Sequence, residues 1–138
     1  MATNCLIGVT HGENFKVVYC HFDGYLSGVG ATLLKHYNSS KANHLVALGN
    51  ISYLAEQIEI PASNLEHNFD NPAPGVTVFY GRDRGEKQQE FKTFCCKDTF
   101  NMYAAQFEHT YIMHNGDWYY IPENKKFKHR QLLKEAIV

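Results

Sequence analysis

Residues 5 to 21 read CLIGVTHGENFKVVYCH, and the fold turns on how this stretch is divided. CLIGVT (5–10) and FKVVYCH (15–21) are β-rich runs on either side of His11, Gly12, Glu13 and Asn14, which predicts a hairpin with a four-residue loop. Simple pairing of the ends sets Cys5 opposite Cys20 and Ile7 opposite Val18. Leu6, Phe15, Val17 and Tyr19 fall on the other side, so both faces are largely apolar and the hairpin belongs at the centre of its sheet.

Downstream, HFDGYLSGVG (21–30) is a turn-rich passage leading into ATLLKHY. Ser27 is the expected N-cap of a helix from about Gly28 to Tyr37, with Val29, Leu33 and Tyr37 at helical spacing. Asn38, Ser39 and Ser40 end it. A second helical segment is expected from Lys41 to Ile58, broken at Gly49-Asn50, with Leu45, Leu48, Tyr53 and Leu54 facing inward. Residues 59 to 75, rich in Pro and Asn, read as a long loop of the kind that is usually functional or mobile. VTVFY (76–80) predicts a short strand followed by the charged loop GRDRGE (81–86), and a helix is expected over Asp98 to Gln106. His109–His114 and Asp117–Ile121 flank Asn115-Gly116, the strongest hairpin signal in the chain. A two-residue turn there pairs His114 with Asp117, Met113 with Trp118 and Tyr111 with Tyr120, leaving an aromatic row on one face. Leu132, Leu133, Ala136 and Ile137 predict a terminal helix in the basic segment 123–138.

Strands, helices and then strands, with hairpins at both ends, define an α+β domain on an antiparallel or mixed sheet with flanking helices. The 138 residues make one domain, 1–138, and the net charge of -1 with 44% hydrophobic residues argues against a disordered chain and against a DNA- or RNA-binding protein. No basic n-region and apolar h-region opens the chain and no apolar run approaches a membrane span, which points to the cytosol and against a membrane partner. Cys5, Cys20, Cys95 and Cys96 show neither C-x-x-C nor zinc spacing, so free thiols are expected although the hairpin register would admit a Cys5–Cys20 bridge. Charge is segregated: residues 42–81 hold no Lys or Arg and carry -4, whereas the tail from Glu123 carries +3, a separation suited to head-to-tail subunit contact. Nine Tyr, nine Phe and one Trp make 14% of the chain, a surplus that packing, assembly or ligand stacking must account for.

Three features can carry chemistry. Arg82 and Arg84 are two of only three arginines and stand just beyond a strand, where guanidinium forks suit phosphate or carboxylate; equally, Asp83 and Glu86 can pair with them to stiffen a solvated turn. The HFDGYLSGVG passage, with Asp23 and Tyr25, places glycines before a helix, so its backbone N–H groups suit an anion, or its glycines serve only a tight turn and close packing. Tyr111, Trp118 and Tyr120 can stack on a base or form core or interface. Histidine spacing matches no metal motif, and Cys95-Cys96 has no evident His partner, so neither metal nor catalytic residues are expected.

VVYCHFDGYLSGVGATLLKHYN (17–38) and PGVTVFYGRDRGE (74–86), together with NGDWYYI (115–121), resemble the type 1 Thoeris anti-defence proteins of bacteriophages. The resemblance implies a sponge that captures cyclic ADP-ribose isomers without turnover in the host cytoplasm, works as a homo-oligomer and needs no cofactor. Some members of that family also hold cyclic oligonucleotides at separate sites. Such a ligand offers an adenine and a pyrophosphate, which makes Arg82 and Arg84 the expected forks and Tyr25, Tyr80 or Trp118 the expected shelf, with Asp23 in the matching motif. Two other readings stand beside it: a phosphodiesterase using His21 and Asp23, and a protein inhibitor anchored by the Tyr-rich hairpin.

Overall fold

The computed structural model describes residues 3–137. The opening hairpin forms as β1 (Cys5–His11) and β2 (Asn14–Cys20) in the expected register, Cys5 facing Cys20 and Ile7 facing Val18. Its ladder runs on to a His11–Asn14 pair, so the loop is Gly12 and Glu13 alone rather than four residues. Gly12 supplies the φ of +62° that so tight a turn requires.

β3 (Ile51–Tyr53) lies parallel to β2 and pairs antiparallel with β4 (Val78–Phe79), while β5 (Lys92–Phe94) pairs with β2 near the hairpin turn. On the other side β6 (His109–His114) runs parallel to β1 and turns through Asn115-Gly116 into β7 (Asp117–Pro122), with all three expected cross-strand pairs in place. β8 (Gln131–Leu132) adds the far edge, giving the order β4-β3-β2-β1-β6-β7-β8. The sheet is mixed, and with five α-helices among the described residues the chain is α+β as its sequence predicts.

Both faces of the central hairpin are covered, as its two apolar faces require. One face puts Cys5, Ile7, Val9, Val18 and Cys20 against α1 (Ala31–His36), α2 (Ser39–Ala47) and α5 (Leu133–Ala136) through Leu33, Leu45, Val46 and Leu133. The other puts Leu6, Phe15 and Val17 against Phe100 and Ala104 of α4 (Lys97–Ala104), with Phe15 stacked on Phe100 at 4.2 Å. Each such large side chain stabilises the fold by about 1.5–3 kcal/mol through removal from water. Helix α4 begins and ends within two residues of expectation.

Four elements differ from expectation. Residues Leu26–Gly30 form a single π-helical turn without a Ser27 cap, so α1 starts only at Ala31. Asn38 does not close that helix but opens the next one: its Oδ1 accepts the Lys41 N–H at 2.9 Å and caps α2. The break at Gly49-Asn50 leads into β3 and not into more helix, leaving Tyr53 exposed instead of inward. Finally, the strand expected over 76–80 is reduced to Val78–Phe79 plus an isolated Gln57–Val76 bridge, and Tyr80 already begins α3 (Tyr80–Arg84). The terminal helix is present but is one turn long.

Candidate functional site

The GRDRGE stretch is a helical turn, α3, stopped by Gly85 at φ +75°. Arg82 is not the open fork the sequence suggested. Its Nε and Nη2 donate to Asp83 at 2.8 and 3.1 Å, Nη2 also donates to the Thr77 carbonyl at 2.9 Å, and Nη1 donates to the Ile58 carbonyl. The guanidinium also lies 4.7 Å from the Phe79 ring. All three guanidinium nitrogens donate inside the protein, so Arg82 ties the β4 region to the start of the long loop.

Asp83 is the hub of this knot. Its side chain is 1% exposed, it accepts the Phe79 N–H at 2.8 Å, and His67 Nε2 lies 3.3 Å away without the alignment of a full hydrogen bond. His67 Nδ1 accepts the Ala73 N–H at 2.8 Å, so the ring proton sits on Nε2, toward the carboxylate. Burial alone would raise the Asp83 pKa, but the Arg82 fork, the Phe79 N–H and His67 together hold it below its ordinary value.

Arg84 behaves differently. Its side chain is 54% exposed, its ionic partner is Glu86 at 3.5 Å, and its guanidinium rests 4.7 Å from the ring of Phe69. Phe69 in turn meets Tyr80 at 5.7 Å between ring centroids. An exposed cationic fork thus lies over Phe69, the outer ring of an aromatic pair. Phe69 comes from the long loop and is brought here by its N–H bond to the Asp83 carbonyl at 3.0 Å, a contact that no local pattern announced. From the same stretch, Gly81, Arg82 and Glu86 line a groove of about 560 Å³ together with Lys87, Gln88 and Gln89, to which Arg84, Phe69 and Tyr80 do not contribute.

The glycine passage is a separate place. Its Gly28, Val29 and Gly30 N–H groups donate to the carbonyls of Tyr25, Asp23 and Tyr25, so they are consumed by the turn instead of facing an anion. Asp23 takes φ +58°, and a Cβ on Gly28 would stand 2.4 Å from its carbonyl oxygen, which explains the glycine by packing. Tyr25 is 42% exposed and donates its hydroxyl to Asp23 at 3.1 Å, a bond that raises the Tyr25 pKa. Asp23 and Tyr25 therefore stand together, and Tyr80, Arg84 and Phe69 stand together. Among the described residues no hydrogen bond or ion pair joins the two groups, although both flank β3: the Tyr80 N–H donates to the Asn50 carbonyl and the Phe22 N–H to that of Ser52.

Trp118 belongs to neither. It is 5% exposed, packs in the core with Tyr111, Met113 and Tyr120, and donates its indole N–H to the Tyr37 carbonyl at 2.8 Å. Tyr111, Trp118 and Tyr120 of the second hairpin are core, which removes Trp118 as a stacking shelf. His21 and Asp23, the pair weighed for phosphodiester chemistry, bond to Tyr19 and Tyr25 respectively and not to each other. Among the described residues no three His, Cys, Asp or Glu side chains converge as a metal site, and no helix is long and apolar enough to cross a membrane.

Sequence reasoning missed a second concavity altogether. At the turn end of the first hairpin a cleft of about 470 Å³ gathers Thr10, Cys96, Lys97, His114, Lys128 and Arg130 among its walls. These residues come from four separate parts of the chain, and the basic tail was the one visible clue. Comparison with protein-family models, curated proteins and solved structures finds no match to this chain. The fold defines it as a single-sheet α+β protein.

Proposed function

We propose that this protein is a phage anti-defence sponge that binds cyclic ADP-ribose isomers and holds them intact, as a homo-oligomer in the host cytoplasm. The observation that carries the reading is Arg84: an exposed guanidinium held over Phe69, whose ring in turn meets Tyr80, offers one fork for a pyrophosphate beside aromatic surface for an adenine. Arg82 and Asp83 support the reading indirectly, since they fix the helical turn and the loop that present this arrangement. The resemblance of residues 17–38, 74–86 and 115–121 to the anti-defence family supplies the ligand class.

The test is titration calorimetry with cyclic ADP-ribose isomers, followed by heat release and mass spectrometry of the ligand. Binding with recovery of the intact ring is the expected result. Absence of binding, or recovery of a linear product, overturns the proposal. Arg84→Ala removes a charge-assisted bond and should cost about 1.5–3 kcal/mol, roughly ten- to hundredfold in Kd. The same titration with a cyclic dinucleotide tests the further ligand class that the resemblance implies.

A further inference from the structure

The cleft at the first hairpin turn has the makings of an anion site independent of Arg84. Lys97, Lys128 and Arg130 line it against two carboxylates, Glu13 and Asp98. Arg130 is held rigidly: its guanidinium lies 4.2 Å from the Phe127 ring and 5.1 Å from that of Tyr119, and Nη1 donates to the Phe127 carbonyl at 3.2 Å. Its Nε is enclosed and has no hydrogen-bond partner among the described residues. Across the cleft, His114 is fixed by Thr10 at 2.8 Å through Nδ1, and Cys96 sits at the first turn of α4, where backbone N–H groups add partial positive charge.

We propose that this cleft binds a phosphate group, as inorganic phosphate or as the terminal phosphate of a small monoester, with Arg130, Lys97 and Lys128 as its ligands. A terminal phosphate carries two negative charges on one compact centre, which suits three cations in one cleft, Lys97 from a helix start and Lys128 and Arg130 from the tail, better than a ring diester with one charge per phosphorus. Cys96 reports on occupancy. It lines the cleft, it is exposed, and the Thr99 hydroxyl 3.4 Å from Sγ holds its pKa below the ordinary thiol value.

The experiment follows alkylation of Cys96 by iodoacetamide in the folded Cys95→Ser protein as inorganic phosphate is raised at constant ionic strength. Phosphate should slow the reaction saturably, by about tenfold, and Arg130→Gln and Lys97→Gln should each abolish that protection. Lys128→Gln, on an exposed side chain, keeps the test decisive if Arg130→Gln fails to fold. Arg84→Ala should leave the protection intact, which separates this site from the proposed sponge site. Phenyl phosphate protecting at lower concentration than inorganic phosphate would identify a monoester as the occupant, and equal protection would identify phosphate itself. Chloride protecting equally, a rate unmoved by phosphate, or full protection retained in both Arg130→Gln and Lys128→Gln would overturn the proposal.

Discussion

Arg82 and Arg84 stand two positions apart on one helical turn, yet the first spends its whole fork on Asp83, Thr77 and Ile58 while the second reaches solvent over Phe69. The difference lies in what each meets, since a fork that finds buried carbonyls and a carboxylate is lost to a ligand. Removing Arg82 leaves the Asp83 carboxylate buried without its cation, supported only by the Phe79 N–H and His67. Arg82→Ala should therefore lower stability by about 3–5 kcal/mol, read by urea unfolding, whereas Arg84→Ala should stay within about 0.5 kcal/mol of the wild type. The Asp83 carboxyl also sets an acid limit. Its folded pKa lies below its unfolded value of about 4, so its contribution is complete above that pH and is lost as pH falls through the folded pKa. Asp83→Asn should be less stable at neutral pH and should lose less stability between about pH 5 and pH 2 than the wild type does. Trp118→Phe tests the core assignment: it keeps the ring but deprives the Tyr37 carbonyl of its donor, which should cost about 1–3 kcal/mol.

At the scale of elements, both hairpins and their registers were legible in residue order, because β-rich runs on either side of a short turn fix register locally, although the first turn is two residues and not the four expected. The Gly49-Asn50 break was equally visible. The strand beyond that break was not, since Ile51–Tyr53 becomes extended only because β2 and β4 offer edges on both sides. Asn50 holds that junction: its Oδ1 accepts the Tyr19 N–H, its Nδ2 donates to Gln89, and its carbonyl accepts the Tyr80 N–H. Gly49 adopts φ +91°, and a Cβ there would lie 2.3 Å from the Gln89 carbonyl oxygen. Gly49→Ala should cost about 1–3 kcal/mol for the backbone alone and should loosen the 81–90 groove, seen as faster amide exchange at Gln89 and Glu90.

For the whole molecule, the aromatic surplus spreads over core, half-buried positions such as Phe69 and Tyr80, and surface. Phe15, Phe100, Phe127, Tyr111, Trp118 and Tyr120 fill the two faces of the sheet, while Phe22, Tyr25 and Tyr53 remain exposed. The thiols divide in two, Cys5 and Cys20 fully enclosed and Cys95 and Cys96 at the surface. Alkylation of the folded protein should modify two cysteines and of the unfolded protein four; early labelling of Cys5 or Cys20 would contradict the packing described. Two acidic residues of the -4 stretch meet histidines of the helices, Glu56 with His36 at 3.7 Å and Glu59 with His44 at 3.6 Å. If the remaining charge aligns subunits, sedimentation should show the assembly dissociating as salt rises.

Residue order by itself determined the two hairpins with their registers, the α+β class and the core side of Phe15 and Val17, because turn chemistry and alternation act over a few residues. Only the tertiary structure decided which arginine stays open, that Trp118 is core, and that Lys97, His114, Lys128 and Arg130 share one cleft. Those outcomes depend on carbonyls, rings and charges far apart along the chain, and an isolated residue's chemistry does not specify which of them will be its neighbours.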